Sequence, residues 1–66
     1  MTTKQKFEPV LDILNQAVTG DVALDSEYPN IFTRLFKFYE DKGVQFWGDV
    51  DEDYAILIDK LATDLI

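Results

Sequence analysis

The spacing of the large apolar residues constrains this chain's fold more than any other feature. Tyr28, Ile31, Phe32, Leu35, Phe36 and Tyr39 recur three and four positions apart, the interval that returns side chains to one face of an α-helix. Phe38 widens the stripe beyond what one neighbouring helix can cover. Pro29 falls in a first turn, where the missing N–H has no intrahelical partner to lose. Lys42 then places a cation at the negative end of the helix dipole, and Gly43 supplies the left-handed residue that stops the run. These signals predict a helix over 29–42, with Val44 making the apolar contact that accompanies such a stop.

Two further segments read the same way. Phe7, Val10, Leu11, Leu14 and Val18 predict a helix over 6–19, with Pro9 in its first turn, Gly20 as its stop and Met1 to Gln5 loose ahead of it. Tyr54, Leu57, Ile58, Leu61 and Leu65 predict a third over 50–65. Asp49 with Glu52 three residues on fits a capping box in relaxed form, Asp replacing Ser or Thr, and Ile56 lies on the opposite side of that helix. Val44-Gln45-Phe46-Trp47-Gly48 is too short for more than one extended strand, and no second strand is evident to pair with it. The expectation is an all-α fold: a single domain, 1–66, of three helices with a short extended connector at 44–48.

Composition decides whether such a chain folds. Thirteen Asp and Glu face six Lys and Arg, a net charge of −7, yet 47% of residues are hydrophobic. That apolar mass is enough to fold a chain whose charge alone would favour disorder, and it leaves a strongly negative surface. A 66-residue domain buries only about 60% of its unfolded surface, so small domains often add staples. With no Cys and no His, disulfides are excluded and structural zinc has no ordinary ligand. Helix packing must then suffice, or self-association into a small homo-oligomer such as a homo-dimer must help. The N-terminus lacks an apolar signal-peptide core, and no apolar run approaches 18 residues, so a soluble, cytoplasmic protein is expected.

The acidity is concentrated. Residues 1–20 are neutral overall, 21–42 carry −2 and 43–66 carry −5. Direct nucleic-acid binding is not expected, because neutralising phosphates needs clustered Lys or Arg. Anionic membranes are disfavoured for the same reason. Asp49, Asp51, Glu52 and Asp53 place four carboxylates in five residues. Asp49, Asp51 and Asp53 occupy positions 1, 3 and 5 of a calcium loop, but Tyr54 stands where that loop needs Gly, and Lys60 where it needs a bidentate Glu. No metal is expected, and the plain role of these acids is to cap a helix and complement its dipole.

The sharper role is mimicry. Duplex DNA presents one negative charge per roughly 1.7 Å of axis, and carboxylates three or four residues apart on a helix stand about 5–6 Å apart, comparable to phosphate spacing along a strand. Asp21, Asp25 and Glu27 would join the 49–53 run in one acidic rim if both loops lay at the same end. The stretch Tyr28-Pro29-Asn30-Ile31-Phe32, followed by Lys42-Gly43-Val44, resembles a segment of the phage-encoded DNA-mimicking restriction inhibitors. The resemblance covers under a third of the chain, and that family's much longer acidic helices are missing. It implies an inhibitor of the phage or mobile-element type acting on a basic, nucleic-acid-binding protein.

Leu24-Asp25-Ser26 is similar to the prosthetic-arm attachment motif of acyl and peptidyl carrier proteins, which would make Ser26 a phosphopantetheine site. Glu27 and Tyr28 depart from that pattern, and the loop before Ser26 is short for the family. The structural alternative is that Asp25 and Ser26 satisfy free amides at a helix start. Catalysis finds little to use: no His, no Cys nucleophile and no glycine-rich phosphate loop. An enzyme is therefore not expected, nor is a resident cofactor. Phe38, Trp47 and Ile56 lie off the main stripes or in the connector, and exposed aromatics are enriched at binding hot spots. The alternative is that Phe46 and Trp47 fold back as a lid over the core. The expectation is an acidic protein-interaction module whose partner-binding residues are Asp49, Asp51, Glu52, Asp53, Phe38, Trp47 and Ile56. A carrier domain at Ser26 and a generic assembly or regulatory subunit remain open beside it.

Overall fold

Three apolar stripes at helical spacing can bury themselves only by packing on one another, and the computed structural model, which describes residues 2–66, shows how they do so. Among the described residues there is no strand, and the fold is all-α. Five α-helical segments follow in order: α1 (Thr3–Lys6), α2 (Leu11–Thr19), α3 (Leu24–Glu27), α4 (Pro29–Asp41) and α5 (Val50–Asp64). A 3-10 turn at Glu8–Val10 stands between α1 and α2. Only α2, α4 and α5 exceed seven residues. α2 packs on α5, α3 on α4, and α1 and α4 each also touch α5.

The first expected helix is corrected in two respects. It does not run unbroken over 6–19, because Pro9 tightens the chain into a 3-10 turn that breaks it near Phe7. The stretch expected to be loose is also ordered from Thr2 onward, while Met1 lies outside the described residues. Thr2 and Gln5 form a reciprocal capping box: the Gln5 amide donates to Thr2 Oγ1 at 3.2 Å, and the Thr2 amide donates to Gln5 Oε1 at 2.9 Å. The break lets α1 tuck Phe7 into the core, where it is 1% exposed.

α3 is a turn that periodicity did not disclose. Leu24, fully buried, supplies its one inward side chain. Neither Asp25 nor Ser26 caps a helix; Glu27 instead reaches back to accept from the Ala23 amide at 2.8 Å. The predicted stops behave as expected. Asp21 N donates to Gln16 O at 2.8 Å past the end of α2, and Val44 N donates to Tyr39 O at 3.1 Å past Gly43, whose φ is 95°. Both are the six-to-one closure of a left-handed helix stop.

The core comprises Phe7, Leu14, Ala17, Leu24, Leu35, Tyr39, Leu57 and Leu61. One polar cluster pins its edge. The Tyr39 hydroxyl, on a residue only 2% exposed, donates to Asp64 Oδ2 at 2.6 Å. Thr3 Oγ1 donates to the same oxygen at 2.9 Å and lies 3.1 Å from the Tyr39 hydroxyl. This ties α1, α4 and the end of α5 together. Burial first, and then the bond to Asp64, hold the Tyr39 hydroxyl well above its ordinary pKa of 10.0.

The sign of the resulting pH dependence follows directly. Above pH 10 the unfolded chain releases a proton that the folded chain keeps, so stability present below that pH is lost as pH rises. Tyr39→Phe removes a bond to a carboxylate and is expected to cost about 1.5–3 kcal/mol at neutral pH and to flatten the alkaline loss. Thermal melts of both proteins over a pH series would check this. Equally steep alkaline loss in the two would show that Tyr39 is not the group responsible.

Candidate functional site

The connector between α4 and α5 has no regular secondary structure, yet its geometry is tightly set. Phe46 folds back and stacks on Phe36, ring centroids 4.2 Å apart. The next side chain, Trp47, stays in solvent. Gly48, at φ 89°, makes the left-handed bend that returns the chain into α5. Of the expected lid, the Phe46 half forms and the Trp47 half does not: Trp47 is 74% exposed.

The acidic run divides its labour. Asp49 is the N-cap of α5, its Oδ1 accepting from the Asp51 amide at 3.0 Å and the Glu52 amide at 3.3 Å. Asp53 turns the other way. Its two carboxylate oxygens accept from the connector, Oδ1 from Trp47 N at 2.7 Å and Oδ2 from Gly48 N at 3.0 Å. With 6% of its surface exposed, Asp53 is withdrawn from the acidic face expected of it and serves as a clamp beneath Trp47. Asp49, Asp51 and Glu52 stay exposed. Asp53 spends both oxygens and Asp49 its Oδ1 on backbone amides, and among the described residues no three acids are arranged to hold a metal ion.

Trp47, Glu52, Ala55 and Ile56 line one open depression of about 420 Å³. The structure thus brings together Trp47 and Ile56, which the sequence singled out separately, beside exposed acids. Phe38 is not part of this site. It is half-buried, meets Phe7 edge-on at 5.5 Å, and carries Lys42 Nζ 4.8 Å above its ring. It shares a different cleft with Lys6, Arg34, Lys37 and Asp41, so half of the chain's cations gather there.

The two acidic loops do approach one another. The Leu24 amide donates to the Tyr54 hydroxyl at 3.2 Å, joining the start of α3 to the first turns of α5. Gly20, Val22 and Ala23 line a groove with Tyr54 and Ala55. Asp21, Asp25 and Glu27 are exposed on that side of the molecule, although Glu27 is engaged by the Ala23 amide and Asp21 accepts from Thr19 Oγ1 at 3.2 Å.

Ser26 is exposed, inside α3, and donates to its own Ala23 carbonyl at 3.4 Å. The groove, bounded by Ala17, Ala23, Ala55, Ile58 and Ala62, was not foreseen. Its only signal in the sequence is the alanine pair at 55 and 62, two turns apart, which reads equally well as ordinary helix-forming composition. Comparison of the chain with protein-family models, with curated proteins and with solved structures finds no match.

Proposed function

We propose that this chain is an acidic protein-interaction module that binds a partner with a basic, nucleic-acid-binding surface, as an inhibitor or regulator of the phage or mobile-element type. The observation that carries the reading is Trp47: a large aromatic, mostly exposed, on a connector whose two successive amides are held by one buried carboxylate. A side chain left in water but mounted on a fixed backbone loses little entropy on binding, which is what an anchor residue needs. Asp49, Asp51 and Glu52 surround it with negative charge that would speed and orient encounter with a basic surface. The rim of Asp21, Asp25 and Glu27 extends that field, so a site built for phosphates could accept these carboxylates instead.

The test is capture of a basic nucleic-acid-binding protein from lysate, followed by competition with duplex DNA. Displacement by DNA supports mimicry of the nucleic acid. A captured partner that DNA leaves in place argues for binding elsewhere on it, and capture of no basic protein argues against the reading as a whole. With a partner in hand, Trp47→Ala is expected to weaken affinity at least tenfold, about 1.4 kcal/mol, mostly through faster dissociation. Raising salt should slow association in both proteins alike. A Trp47→Ala complex as long-lived as the parent would show that the tryptophan is not the anchor.

A further inference from the structure

The groove between α2 and α5 has about 660 Å³ of space and opens to solvent. Its walls are nearly all apolar and small: Ala17, Val22, Ala23, Ala55, Ile58 and Ala62. The four alanines and Gly20 let a second backbone come close, and so open a trough cannot enclose most of a small ligand's surface. Along α5 it runs from Tyr54 to Ala62, about 12 Å at 1.5 Å per residue, or roughly two turns of a helix lying in it. Ala55 lines both this groove and the depression at Trp47, so the two form one continuous surface.

Charge selects the occupant. Asp59 is the one ionisable carboxylate in the groove wall, and no Lys or Arg lines it. Exposed Asp21, next to Gly20 of the groove, and Glu52, beyond Ala55, add negative charge at the end nearer the start of α5. A second copy of this chain, itself at −7, would bring repulsion. A helix with an apolar stripe and cationic flanks would bring complementarity to Asp59 along the groove and to Asp21 and Glu52 at its end.

We propose that the groove seats an amphipathic helix, flanked by lysine or arginine, belonging to the partner, with Trp47 covering one end of it. This rests on the reading of the chain as a binder of a basic protein and names the element it would grip. Binding of this kind is recognised by apolar anchors at i, i+3, i+4 and i+7.

The probe is a designed helical peptide with Leu and Ala on one stripe and Lys elsewhere, titrated into the intact protein and followed by the emission of its single tryptophan and by amide chemical shifts. Shifts are expected at Ala17, Ala23, Ile58 and Ala62. The same peptide with Glu in place of every Lys should bind at least tenfold more weakly. Ala62→Phe, which fills the groove, should weaken the Lys peptide by at least tenfold. Asp59→Lys alters an exposed margin without touching the core and should weaken it severalfold.

Several results would overturn the inference: no binding of the Lys peptide, shifts confined to residues 49–52, or full binding by both variants. Concentration-dependent dimerisation blocked by Ala62→Phe would assign the groove to a second copy and equally refute it. Capture of a DNA-displaceable basic protein that Ala62→Phe leaves undiminished would sink the groove alone. Failure of the chain to retain any basic protein, while the peptide still fills the groove, would sink the broader reading instead.

Discussion

Leu57→Ala is expected to leave the protein largely unfolded under conditions where the parent is folded. Leu57 has no exposed surface and faces the core from the middle of α5, one turn from both Asp53 and Leu61. Truncating such a leucine typically costs about 2–5 kcal/mol, through lost burial and the cavity left behind. Against this stands a total stability of only about 3–10 kcal/mol for a chain of this length, at roughly 0.05–0.15 kcal/mol per residue. Among the described residues the core has eight members, and no disulfide holds a loosened chain together, so neighbours have little means of closing the gap. Urea denaturation followed by circular dichroism measures the loss. Lys60→Ala, three residues on and exposed, should change stability by no more than about 0.5 kcal/mol. If Leu57→Ala proved as mild as that control, the core would not centre on α5.

The long helices were legible because their evidence is local and repeated. Five apolar residues of α4 in register with Tyr28 at its cap, a proline at its start and Lys-Gly at its end each indicate the same element, and the closure from Val44 N to Tyr39 O confirms the stop. What escaped is set by contacts distant in sequence. Thr3 looked like part of a polar tail, but it is buried because Tyr39 and Asp64, 36 and 61 residues away, offer it partners. α3 is a single turn, shorter than any periodicity can register, and exists because Leu24 fits the core and Glu27 satisfies the Ala23 amide. Within the acidic run, composition could not show that Asp49 caps forward while Asp53 bonds backward. That division depends on where Gly48 turns the chain. For the same reason Trp47 and Ile56 could be named as candidates but not placed together, and Phe38 could not be assigned to a cleft of its own.

Asp53→Asn is expected to damage binding more than its size suggests, and it separates the clamp from mere negative charge. The two connector amides approach different oxygens of Asp53. Asparagine keeps one acceptor and replaces the other with an NH2 group, which confronts an N–H with an N–H. One amide then loses its partner in a part-buried position, and the bond that remains is no longer to a charged acceptor. Bonds to charged groups contribute about 1.5–3 kcal/mol, so a loss near 2 kcal/mol of stability is expected, with Asp53→Ala losing more. The larger consequence is local. Freed at Trp47 N or Gly48 N, the connector can move, and the anchor must then be ordered during binding rather than before it. Hydrogen exchange at Trp47 and Gly48 should speed up while exchange in α4 stays slow, and dissociation of a bound partner should quicken. Asp51→Asn removes the same charge from an exposed position on the same turn. It should slow association slightly and leave exchange at the connector unchanged. Matching effects from the two variants would mean that the site responds only to net charge and that Trp47 is not held in advance. Slow connector exchange in Asp53→Asn would mean that the stacking of Phe46 on Phe36 alone fixes the loop.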